Sequence, residues 1–122
     1  MEPVLLSHSF ERGVLVVTVH ADPGADGGTL LLTHLSDLVH AHRSAPVVVV
    51  LDDAAAVSTV IGAVLCAHRI CSRLGVLMSV ATASAPARRL LEAGTGAGGH
   101  RMVIHARVGT AIAIAAAFAA AA

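Results

Sequence analysis

The sequence predicts an α/β fold, a mixed sheet of four to five strands with helices packed against it, and three observations carry that prediction. Two β-rich runs joined by turn residues open the chain. An unbroken aliphatic run, Val47-Val48-Val49-Val50-Leu51, follows further on. Between it and a later aliphatic run lies a segment whose apolar residues recur at helical spacing. A strand, a helix and a strand in that order make a crossover unit, whose two strands lie parallel and adjacent.

Taken in order, Val4 to Phe10 and Val14 to His20 read as a hairpin, because Glu11-Arg12-Gly13 between them has turn chemistry. Ala21 to Gly28 (ADPGADGG) is dense in Asp, Gly and Pro and reads as a loop. Leu31, Leu35, Leu38, Val39 and His42 then recur with a helical period, giving a helix that ends near Arg43. Pro46 opens the Val47 to Leu51 strand, and Asp52-Asp53 close it; a continuous β-branched run suits a strand covered on both faces. Ser58 to Leu74 is a second helix, with Ile61, Val64, Leu65, His68 and Cys71 on one stripe, Arg69 and Arg73 on another face, and Gly75 as its stop. Val76 to Ala81 resumes strand character. Pro86 sits in the first turn of a short helix through Leu91, Gly94 to Gly99 is a loop, and Met102 to His105 is a short strand. An Ala-rich helix, about 108–122, ends a single domain spanning 1–122, in the order β-β-α-β-α-β-α-β-α.

Composition narrows the function. At 122 residues with 56% hydrophobic and 13% charged residues, the chain can fill one core but not two. Of these residues 25 are Ala, so the mean hydropathy of +0.79 overstates any drive into a membrane, and the apolar run from Ala111 to Ala122 is shorter than the roughly 20 residues that span a bilayer. Met1-Glu2-Pro3 lacks the features of a signal peptide, which leads us to expect a cytoplasmic protein. Positive and negative side chains balance at zero net charge, which argues against nucleic-acid or membrane partners and eases association with a second copy. The chain has no Lys, so a phosphate-loop lysine and a Schiff-base lysine are excluded, and Phe10 and Phe118 are its only aromatics.

Motif by motif, enzymatic readings weaken. Gly94-Thr95-Gly96-Ala97-Gly98-Gly99 matches GxGxxG, but a helix precedes it and a strand follows, the reverse of a dinucleotide site, so no cofactor is expected. His40 and His42 would point about 200° apart on a helix, and no HExxH is present, so no metal site is expected among the eight His. Cys66 and Cys71 point about 140° apart and read as reduced, buried thiols. No GxSxG occurs, and no catalytic residue is assigned. Attention falls on Asp52 to Gly62, after the central strand, where open sheets place functional groups. Ser58 there reads as a helix N-cap, and a phosphate on it would sit beside the positive end of a helix dipole.

The order of elements, centred on Val47 to Arg69 (VVVVLDDAAAVSTVIGAVLCAHR), resembles the STAS domain of bacterial anti-sigma factor antagonists over nearly the whole chain. The residues carrying the resemblance are Val57-Ser58-Thr59-Val60-Ile61-Gly62, Ala67-His68-Arg69 and Ala85-Pro86-Ala87-Arg88-Arg89-Leu90-Leu91, with Ala21-Asp22-Pro23-Gly24 in the place of the family's first loop. The resemblance implies a STAS-like fold and a non-enzymatic adaptor. Such an adaptor binds an anti-sigma factor of the ATP-binding serine kinase type and is released by phosphorylation, with Ser58 as phosphoacceptor. It implies partner contacts at Asp22, Asp26, Ser58, Thr59, Val60, Ile61 and Gly62. Three positions depart from the family pattern: Val57 replaces an acid, Val60 replaces a glycine, and Gly24 stands where the first loop's acid belongs. The alternative is a constitutive STAS scaffold or assembly module that is not phosphorylated.

Overall fold

A computed structural model describes residues 6–20, 27–55, 57–95 and 102–121. Strands β1 (Leu6–Glu11) and β2 (Val14–Val19) form the expected hairpin, antiparallel with Glu11 opposite Val14. The two residues between them, Arg12 and Gly13, have φ of 54° and 79°, the left-handed pair that a tight hairpin turn demands. Helix α1 (Gly28–Ala41) follows, then β3 (Val47–Leu51), α2 (Ser58–Leu74), β4 (Met78–Thr82), α3 (Ala85–Thr95), β5 (Val103–His105) and α4 (Val108–Ala121). The protein is therefore α/β, with four α-helices around a five-stranded mixed sheet among the described residues, and these elements come in the order expected from the sequence.

Sheet order equals chain order, β1-β2-β3-β4-β5, so β3 is central; β2 through β5 run parallel and only β1 is reversed. Side chains alternate between faces with period two. Leu15, Val17, Val19, Val47, Val49, Leu51, Met78 and Val80 point to one face and join Leu31, Leu35, Val39, Val60, Val64 and Leu91 from α1, α2 and α3 in the main core. Val14, Val16, Val48 and Ala81 point to the other, where α4 covers them with Ala111, Ile112, Ala115 and Ala116. Each fully buried aliphatic side chain contributes about 1.5–3 kcal/mol, so the three-helix face dominates stability.

Most element boundaries lie within a residue or two of expectation, β4 for instance spanning Met78–Thr82 where Val76 to Ala81 was expected, and one lies further off. Helix α3 runs on to Thr95, past the Leu91 end that the sequence suggested, with Gly94 lying against Leu65 of α2. Helix α1 begins at Gly28, inside the segment read as loop. Residues 21–26 of that loop and 96–99 of the GxGxxG-like segment lie outside the described residues. No helix among the described residues is long and apolar enough to cross a membrane.

Candidate functional site

The N-terminal ends of α1 and α2 flank an open groove of about 460 Å3. One wall is a stripe on α2, Ser58, Gly62 and Cys66, spaced four residues apart and so stacked along one face of the helix. The other wall is Gly28, Thr29 and Leu32 of α1. Where the two helices meet, a Cβ on Gly28 would come within 2.9 Å of Thr59 Cγ2, so glycine there lets the helix ends close up. At Gly62 the reverse holds: an added Cβ would meet nothing within 4 Å, and the groove stays open above it.

Ser58 is exposed at the first residue of α2 and does not cap it, contrary to the sequence expectation. The cap position belongs to Val57, whose extended backbone (φ −125°, ψ 153°) presents its carbonyl to the Ile61 N–H at 3.0 Å. A valine side chain has no oxygen to offer, so α2 starts without a side-chain cap and Ser58 keeps its hydroxyl free of that task. Upstream, the chain is braced by its own turn, with the Asp52 carboxylate accepting the Ala55 N–H at 3.1 Å.

Of the other expected contact residues, Gly62 is exposed and Thr59 half-buried beside α1. Val60 and Ile61 require correction: at 0% and 4% exposure their side chains belong to the core and present nothing to a partner. Helical geometry explains it, since residues 60, 61 and 64 face the sheet when 58, 62 and 66 face outwards. Asp22 and Asp26 lie outside the described residues. Sequence reasoning missed Gly28, Thr29, Leu32 and Cys66 as lining residues; the four-residue spacing of Ser58, Gly62 and Cys66 was the available signal for the last.

Among the described residues no carboxylate, imidazole or guanidinium lines the groove, so none of them offers the Ser58 hydroxyl a lining general base to draw its proton. Such a hydroxyl can receive a group delivered by another protein's active site, and no described lining residue activates it as a nucleophile. Cys66, half-buried, lines the groove, whereas Cys71 is buried and its thiol is pushed up from 9.0 to about 11 by burial. Both are free thiols, as expected, but the expectation that Cys66 is buried is corrected.

A second crevice, about 250 Å3, opens at the carboxyl ends of β3 and β4 beside Asp52, Asp53, Thr82 and Ser84. Most of its polar groups are already engaged. Thr82 Oγ1 accepts the Ser84 N–H at 3.1 Å, Ser84 Oγ accepts the Ala87 N–H at 3.2 Å to cap α3, and Asp52 braces its turn. The histidines do not gather into a site: His42 leaves α1 at its C-cap and packs edge-on against Phe10, 4.8 Å between ring centroids, with His8 at 6.4 Å. Among the described residues no group of three or more His, Cys, Asp or Glu could hold a metal ion. No protein-family model matches this chain, and no curated protein matches it.

Proposed function

We propose that this protein is a STAS-like, non-enzymatic regulator of the anti-sigma factor antagonist type, acting in the cytoplasm. Its groove between α1 and α2 docks onto an anti-sigma factor of the ATP-binding serine kinase type, and phosphorylation of Ser58 dismisses that partner. The carrying observation is the Ser58 hydroxyl: exposed at the first residue of a helix, at the mouth of an open groove whose described lining is uncharged, and not spent on capping. Phosphate at that position gains from the helix dipole and from uncapped backbone N–H groups, so the fold tolerates it. The same added charge, about −1.5 to −2, must be desolvated under a partner seated over Ser58 and so opposes docking there. α4 lies on the far face of the sheet and leaves the groove uncovered.

Incubation with such a kinase and ATP, followed by intact mass measurement, is expected to add one phosphate to the wild type and none to Ser58→Ala. Ser58→Glu is expected to weaken the complex at least about tenfold, equivalent to about 1.4 kcal/mol. Equal binding by wild type and Ser58→Glu contradicts the switch. A second reading, a constitutive scaffold, draws on Val57: no carboxylate precedes the serine to orient its hydroxyl or a kinase's metal. It predicts a stable complex with no phosphate gained.

A further inference from the structure

The observation lies on the opposite side of the sheet from the groove and is independent of its reading. Helix α4 carries no charged residue along its length, yet only Ala111, Ile112, Ala115 and Ala116 are buried beneath it. Its outer face exposes Ile114 and Phe118, one turn apart, with Phe118 61% exposed. A helix that is apolar all round belongs in an interior, and among the described residues nothing covers this outer face. A crevice of about 200 Å3 is walled by Phe118 and Ala119 of α4, the turn after α1 (Arg43 to Pro46) and the turn after α2 (Gly75 to Leu77), so a ring entering it packs against Phe118 itself.

We infer that the cover is a second copy of this chain, its Phe118 seated in this copy's crevice and its crevice taking this copy's Phe118. A ring and a hollow adjacent on one surface complement their own copies when a two-fold axis passes beside them. Zero net charge leaves little repulsion between copies, and the small Ala side chains let two α4 helices approach closely. A lipid surface fits less well, since interfacial helices carry Lys and Arg on their polar face and α4 has no polar face at all. Fourteen residues make a helix about 21 Å long, whose outer strip falls well short of the ~800 Å2 per partner of a standard interface. The dimer is therefore weak, in the micromolar range or above, and depends on the seated ring.

Sedimentation velocity of the full chain, from low to high micromolar concentration, is expected to show a monomer passing into a dimer. Phe118→Asp, an exposed change that should leave the circular dichroism spectrum intact, is expected to remain monomeric throughout. In a Cys66→Ser background, Ala119→Cys is expected to form a disulfide between copies and Thr110→Cys is not. Antiparallel helices crossing near Phe118 hold the two copies of position 110 about 24 Å apart along the helix axis and those of position 119 only about 3 Å. A wild type that stays monomeric, with or without floating on anionic vesicles, overturns the inference. So does a dimer indifferent to Phe118→Asp, or Thr110→Cys linking as readily as Ala119→Cys.

Discussion

Three residue types stand both along the groove stripe of α2 and in the framework, and can be compared in pairs: Ser58 with Ser84, Gly62 with Gly94, Cys66 with Cys71. In each pair the framework copy is consumed by structure. Ser84 is buried and caps α3, Gly94 makes room for Leu65, and Cys71 is sealed in the core. Each groove copy is spared: Ser58 caps nothing, Gly62 faces open space, and Cys66 lines the groove. A stripe of small or reactive side chains with no structural task is what distinguishes this face of α2 from its core-facing side, where Val60 and Val64 are fully buried.

The cysteine pair should separate most. At pH 8 a thiol with a pKa of about 11 is ionised to only about one part in a thousand, and burial shields it further. Iodoacetamide under native conditions is expected to label Cys66 and leave Cys71 untouched, read by peptide mass mapping; labelling of Cys71 first would break the contrast. Because folding raises the Cys71 pKa above its unfolded value, the associated stability is complete below pH 9 and lost as pH climbs through 11. Thermal melts across that window should show the decline, and Cys71→Ala should flatten it.

The glycine pair should differ in sign. Gly62→Ala adds a methyl into open space on an exposed helix and is expected to stabilise by about 1 kcal/mol. Gly94→Ala drives a methyl into Leu65 and is expected to destabilise by about 1 kcal/mol after its helix preference is counted. The serine pair gives the smallest difference. Ser84→Ala should cost about 1 kcal/mol as a lost cap, whereas Ser58→Ala should stay within about 0.5 kcal/mol. Urea unfolding checks all four; a large loss from Ser58→Ala would show that its hydroxyl has a structural task.

The fold was legible because its signals are long and redundant. The Val47 to Leu51 run needed cover on both faces, and the two core clusters provide it. Arg12-Gly13 announced the hairpin, and Gly75, at φ 72°, the end of α2. The site was legible only in part. A hydroxyl residue at a helix start suggests a cap, but the cap depends on which backbone turns first, and that residue proved to be Val57. Val60 and Ile61 sit in the segment that resembles a docking motif, yet helical phase turns them inwards. The α1 wall of the groove depends on how two helices separated by a strand come together, which no local pattern records.

The most direct test follows Cys66 as a reporter within the proposed docking face. Its alkylation rate is measured with and without a bound anti-sigma factor kinase, for wild type and Ser58→Glu. Docking on the groove predicts that complex formation slows Cys66 labelling several-fold in the wild type, with little protection in Ser58→Glu at the same concentrations. A complex that forms while Cys66 reacts at its free rate would contradict the account.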